Sequence, residues 1–151
     1  MKIQGEHKLA AARQKVWDAL LDPEVLAATL PGCEALEPLG PSEYKMKMKL
    51  AMASVQGLFD GTVKLTGQNP PESYSLEVKG SGKIGFVNGA GRFELAQDGA
   101  EFTLVRYSGD VKVGGMIAAV GQRLMDMTAK LMIKRFFASL AEVVEKRESI
   151  G

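Results

Sequence analysis

Apolar and polar residues alternate over residues 2–9, with Ile3, Gly5, His7 and Leu9 on one side and Lys2, Gln4, Glu6 and Lys8 on the other. A period of two marks a half-buried strand. Over 12–21 the spacing turns helical, with Val16, Trp17, Leu20 and Leu21 as the apolar side. Asp22-Pro23 announces a second helix over 23–30, the carboxylate at the N-cap and the proline at the first helical position. Pro31-Gly32 ends it. The period of two then returns. Tyr44, Met46, Met48, Leu50 and Met52 alternate with Lys45, Lys47, Lys49 and Ala51. Four more apolar rows follow: Phe59, Gly61, Val63 and Leu65; Tyr74, Leu76 and Val78; Phe93 and Leu95; and Thr103, Val105, Tyr107, Gly109, Val111 and Val113. Asn69-Pro70-Pro71-Glu72 and Gln97-Asp98-Gly99 read as turns. The glycine-rich stretch 82–91 reads as a connection between strands and a flexible lip. Gly114-Gly115 closes the sheet. From Met116 to about Lys146 the period is 3.6, with Ile117, Val120, Leu124, Thr128, Leu131, Met132, Phe136, Leu140 and Val143 as one stripe.

One apolar side per strand predicts an antiparallel sheet with one covered face. The order predicts a single α+β domain over residues 1–151: a helix-grip fold, with a seven-stranded curved sheet, two short helices and one long C-terminal helix. A twisted sheet of seven strands curls, and a helix laid across its hollow side leaves room for an apolar cavity. The predicted lining is Met46, Met48, Leu50, Phe59, Val63, Tyr74, Leu76, Phe93, Val105, Tyr107, Ile117, Val120, Leu124, Thr128, Leu131 and Met132. Seven of the eight methionines sit on two elements, the strand 44–52 and the last helix. Unbranched, adaptable side chains suit a site for a long flexible guest; they equally suit an irregular core, and both readings stand at this point. The way in is expected around helix 23–30 and the 82–91 stretch.

Composition narrows the function classes. Nineteen Lys plus Arg against eighteen Asp plus Glu give a net charge of +1, which argues against nucleic acid as the main partner because phosphate binding needs a cationic excess, and leaves room for a local basic face. One cysteine, Cys33, rules out an internal disulfide framework and fits a reducing compartment. One histidine rules out most histidine-based metal sites. No stretch is long and apolar enough to span a bilayer, and the first ten residues lack the apolar core of a signal peptide. The expected location is cytoplasmic.

Several runs resemble a known family. They are Val16-Trp17; Leu30-Pro31-Gly32-Cys33-Glu34; Gly57-Leu58-Phe59-Asp60-Gly61; and, most specific, Val111-Lys112-Val113-Gly114-Gly115-Met116-Ile117-Ala118-Ala119-Val120-Gly121-Gln122-Arg123-Leu124, closed by Phe136-Phe137. The chain resembles the CoxG family, the G-subunits of carbon monoxide dehydrogenase, within the helix-grip group of START lipid-transfer domains and Bet v1-like plant allergens. The resemblance covers essentially the whole chain. It implies a non-catalytic subunit that works with a molybdenum hydroxylase of the carbon monoxide dehydrogenase type, handles a respiratory quinone and attaches the enzyme to the inner face of the cell membrane. Many members carry a C-terminal extension ending in a membrane-binding segment. This sequence stops at Gly151, so anchoring by such a tail is not expected.

Candidate chemistry is sparse. His7 faces inward, either as a hydrogen-bonded structural residue or as a partner for a ligand. Tyr44, Tyr74 and Tyr107 also face inward, with hydroxyls suited to a quinone carbonyl or simply reaching water. Arg123 has Asp126 as its expected partner. Cys33 is expected in a loop, with no base beside it to make a reactive thiolate. Stretch 82–91 lacks the Lys-Ser/Thr of a phosphate loop. Gly121 is expected inside the last helix, for packing. Lys45, Lys47 and Lys49 form an outer stripe that, with Lys130, Lys134 and Arg135, is either solvated or set against anionic lipid. Three functions compete: carrier of a quinone or lipid with no covalent cofactor; helix-grip enzyme such as a polyketide cyclase; and ligand-free adaptor or assembly factor for the dehydrogenase.

Overall fold

A computed structural model describes residues 1–52 and 54–150 of the chain, with side chains through Lys146. Strand β1 (Lys2–Leu9) leads into helices α1 (Arg13–Leu20) and α2 (Pro23–Thr29). Six strands follow: β2 (Cys33–Gly40), β3 (Glu43–Met52), β4 (Val55–Asn69), β5 (Ser73–Gly82), β6 (Gly85–Asp98) and β7 (Phe102–Gly114). A 3-10 turn (Met116–Val120) joins β7 to α3 (Gln122–Ile150).

The sheet runs β1-β7-β6-β5-β4-β3-β2 and every neighbouring pair is antiparallel. Helices α1 and α2 carry the chain from one edge to the other, and the meander returns until β7 closes on β1. Local signals set these helices. Asp22 caps α2 by accepting from the Glu24 N–H at 2.9 Å, and Gln97 Oε1 accepts from the Arg13 N–H at 3.1 Å. The buried Thr103 hydroxyl donates to the Ala11 carbonyl at 2.8 Å and ties the start of α1 to β7.

Helix α3 crosses the concave face and is held at two places. At one end Leu9, Trp17, Leu20, Tyr74, Leu95, Val105, Phe136, Phe137, Leu140 and Val144 form a cluster with α1 and α2. At the other, Met52, Phe59, Ile84 and Ile117 form a second cluster, with Leu124 and Met125 against it.

Three expectations change. Residues 85–91 are not a lip but the first half of β6, paired to β5 on one side and β7 on the other. Glycines conceal a strand from an alternation count because they carry no side chain to alternate. The last helix begins at Gln122 rather than Met116, because Gly121 has φ +97°, a conformation that side chains with a Cβ rarely adopt. A Cβ at Gly121 would meet nothing within 4 Å, so backbone geometry rather than packing requires glycine there. Cys33 opens β2 instead of lying in a loop.

Candidate functional site

The inward row of each strand follows from its register with its neighbours. Met46 faces Gly61, which faces Gly80; Val78 faces Gly89, which faces Val111; Gly91 faces Gly109, which faces Ile3. These residues lie between the two clusters on the concave face. Along α3, Thr128, Ala129 and Met132 lie between Leu124 and Met125 of one cluster and Phe136 and Phe137 of the other.

Val78, Gly89, Gly91, Gly109 and Val111 point toward the helix yet are only half-buried. The sustained backbone approaches of α3 to the sheet are to β1 and β3, near its two edges. The concave face between the two clusters is therefore only partly covered, although none of these five residues lines either of the surface grooves beside α3. Their side chains are small: Gly and Val occupy positions where the flanking rows carry Phe, Tyr and Leu.

Two surface grooves flank α3. One, of about 460 Å³, runs between β1 and the helix, with Ile3, His7, Tyr107, Ala129, Ile133 and Phe137 in its walls and Lys130, Lys134 and Asp126 at its rim. Ile3 is the cross-strand neighbour of Gly109, so this groove adjoins the open band. The second, of about 440 Å³, lies between the α2–β2 turn (residues 27–33) and Arg135, Ala138 and Ser139 of α3. The expected way in is around helix 23–30 and residues 82–91. The second groove touches the end of that helix, and residues 82–91 line neither groove.

The predicted lining separates into groups. Met46 and Met48 are buried on β3 beside the open band. Val63, Leu76, Phe93 and Tyr107 are half-buried against the α1 cluster, and Leu50, Val120 and Leu124 are half-buried against the second. Thr128 and Met132 are half-buried on α3. Tyr74 and Val105 are 2% and 0% exposed, Phe59 and Ile117 2% and 1%; these four are packed solid and offer no surface to a guest. Leu131 is 46% exposed and faces away. The helix starts after Gly121, and its phase turns Ile133, Phe137, Leu140 and Val144 inward instead of Leu131. Ile133 and Phe137 were missed for that reason; the paired phenylalanines at 136–137 were the only signal of them.

The groove's floor is aromatic. The His7 ring stacks on Phe137 (centroids 4.8 Å apart, planes at 17°), and Tyr107 stacks on the same phenylalanine (5.4 Å, 28°). Among the described residues the His7 side chain has no hydrogen-bond partner, which differs from the expectation of a bonded structural histidine. Tyr107 reaches over Gly5, where any Cβ would collide with its ring and hydroxyl.

The other tyrosines are spoken for. Tyr44 donates to the Leu21 carbonyl at 3.4 Å. Tyr74 sits edge-on to Trp17 at 5.5 Å; burial, and then the nearby Tyr44, pushes its phenol well above the ordinary tyrosine range. Asp126 accepts from Gln122 at 2.8 Å, rather than from Arg123. Burial raises the Cys33 thiol, against a smaller lowering by a backbone hydrogen bond with Ala35. Among the described residues no buried side-chain nitrogen or oxygen lacks a partner. The half-buried polar side chains that line the first groove are His7, Tyr107 and Asp126.

Among the described residues no cluster of acidic, histidine and cysteine side chains could hold a metal, and no helix is long and apolar enough to cross a membrane. Lys45, Lys47 and Lys49 are exposed on the convex face of β3, whereas Lys130, Lys134 and Arg135 lie on α3 across the concave face. The two sets do not form one surface.

No curated protein matches the chain. A conserved protein from Geobacillus kaustophilus has a crystal structure that superposes with TM-score 0.92 at 35% identity, over 97% of this chain and 96% of that one. A START superfamily protein from Mycobacterium smegmatis superposes with TM-score 0.73 at 15% identity (96% and 97% covered). The ZhuI aromatase/cyclase from a Streptomyces species does so with 0.71 at 14% identity (97% and 94% covered). The last two share the fold. The sequence profile of CoxG, the carbon monoxide dehydrogenase G-subunit, matches residues 5–145, and the chain belongs to that family, on a START-like helix-grip fold.

Proposed function

We propose that this chain is a binding and delivery subunit. It takes up an apolar small molecule, a prenylated respiratory quinone such as menaquinone or ubiquinone, between α3 and the sheet. It then hands the quinone to a molybdenum-containing dehydrogenase of the carbon monoxide type, or holds that enzyme at the membrane. The observation that carries the reading is the band of inward-facing yet half-exposed residues, Val78, Gly89, Gly91, Gly109 and Val111, beneath the helix. The family name supplies the partner.

Energetics decide how such a carrier works. Burying ~500 Å² of isoprenoid tail from water releases on the order of 12 kcal/mol before association costs. The tail starts in a bilayer, however, and moving it from lipid to an apolar hollow gains almost nothing. Preference must come from the head group and the shape of the space. The stacked His7–Phe137–Tyr107 rings offer a planar head group a flat surface with two polar edges. Loading at the membrane keeps the tail out of water.

A catalytic reading of the same groove draws on the unbonded His7 facing Asp126 across it, and on the fold shared with an aromatase/cyclase. One experiment separates the readings. Native mass spectrometry of protein purified from its own host, then incubated with menaquinone, reports any retained guest. A co-purified or captured quinone supports the carrier. A chain that ignores quinones but binds the dehydrogenase is an adaptor. Turnover of an aromatic substrate that stops on His7→Ala makes it an enzyme.

A further inference from the structure

The outward face of α3 has two features that a solvated helix face does not need together. Met127 and Leu131 are 61% and 46% exposed, one turn apart. Around them Arg123, Lys130, Lys134 and Arg135 are exposed, and among the described residues none of the four takes part in an ion pair. The nearest acid on this stretch, Asp126, is turned toward the β1 groove and bonded to Gln122. Four cations thus gather on one helix face of a chain whose net charge is only +1.

We infer that this face is a docking surface for an anionic lipid bilayer. Met127 and Leu131 enter the interface while the four cations contact headgroups. Exposed apolar side chains beside cations combine the two terms that hold a surface on an anionic membrane, apolar burial and headgroup attraction. The charge complementarity selects the occupant: anionic headgroups are attracted to juxtaposed Lys and Arg, and a neutral bilayer is not. Geometry gives the contact a purpose. Lys130 and Lys134 are also the rim of the groove holding His7 and Tyr107, so docking by this face sets that groove against the headgroups. This purpose rests on the carrier reading; the docking itself does not.

The test is co-sedimentation of the whole chain with quinone-free vesicles of phosphatidylcholine, with and without phosphatidylglycerol. Binding is expected only with phosphatidylglycerol, and to weaken as salt rises. Lys130→Gln with Lys134→Gln should weaken it about thirtyfold, the effect of two cations near a charged surface. Met127→Ser with Leu131→Ser should weaken it at least about tenfold at unchanged charge. The convex-face variant Lys45→Gln/Lys47→Gln/Lys49→Gln should bind as the parent does. Circular dichroism confirms that each variant, altered only at exposed positions, is folded. Failure to bind phosphatidylglycerol vesicles, or equal weakening by the convex-face variant, overturns the assignment. Because the vesicles hold no quinone, either result leaves the carrier reading to its own experiment.

Discussion

The two parts of the concave face are built from the same strands and differ in side-chain volume. Toward α1, strands β5, β6 and β7 present Tyr74, Leu95 and Val105, and the space above them is filled by Trp17, Phe137 and Leu140, none more than 4% exposed. A few residues along the same strands the inward positions are Val78, Gly89, Gly91, Gly109 and Val111, all half-buried but facing the helix. Between residues 124 and 136, α3 rests on bulky groups, Leu124 against the Ile117 cluster and Phe136 and Phe137 within the α1 cluster. A stiff helix does not sag between such supports. The small residues on the sheet between the two clusters are therefore only partly covered, where a uniformly bulky row would have made a core.

The largest test of this contrast is a matched pair of truncations. Leu140→Ala removes a fully buried side chain from the packed end and should cost about 2–5 kcal/mol by chemical denaturation. Val78→Ala, in the open band, should cost less than about 1 kcal/mol, since a half-exposed side chain has less burial to lose. Equal costs would mean that the two regions are packed alike. Next in size is Gly61→Ala. A Cβ there would run into the Lys79 carbonyl oxygen of the neighbouring strand, so the close approach of β4 to β5 would have to open, at about 1–3 kcal/mol. A lower melting temperature together with weaker retention of any guest would tie the curvature of the sheet to the hollow.

Tyr74 offers a pH test confined to the packed end. Burial, reinforced by Tyr44, raises its folded pKa above the ordinary value of about 10. The unfolded chain then ionises first, so the stability this phenol contributes is complete below that value and is lost as pH rises through it toward the folded pKa. Denaturation midpoints should fall in alkali, and Tyr74→Phe should flatten the fall. In an ultraviolet titration the Tyr74 phenolate should appear only as the chain unfolds. A Tyr74 phenolate that forms while the chain is still folded would show that water reaches the α1 end.

Much of this could be read from the chain. Strands β3, β4, β5 and β7 are plain in the alternation of Met46, Val63, Leu76 or Val105 with polar neighbours, and Asp22-Pro23 marks α2. The first half of β6 escaped because a strand of Gly85, Gly89 and Gly91 has backbone pairing but no apolar row. The phase of α3 escaped because the 3-10 turn and the positive φ of Gly121 reset it after Met116. That misplaced Leu131 and hid Ile133 and Phe137. The strand residues of the site were legible as a face. Which of them were open was not, because Tyr74 and Val78 belong to the same row, and their burial depends on which side chains of α1 and α3 pack above each.

The smallest change in stability should come from the substitution that acts most directly on the space. Gly89 points toward α3, and a Cβ there would make only ordinary contact, 3.4 Å from Val111 Cγ2. Its backbone does not need glycine's freedom, and glycine inside a strand is a local weakness. Gly89→Leu should therefore leave stability unchanged or raise it by up to about 1 kcal/mol, as the new side chain buries itself in the hollow. It should also occupy the volume that a guest needs and abolish quinone retention in native mass spectrometry. If the space beneath the helix is instead already filled, the same leucine overpacks it and costs about 1–3 kcal/mol. The sign of one melting-temperature shift thus distinguishes a hollow from a core, whatever ligand the hollow takes.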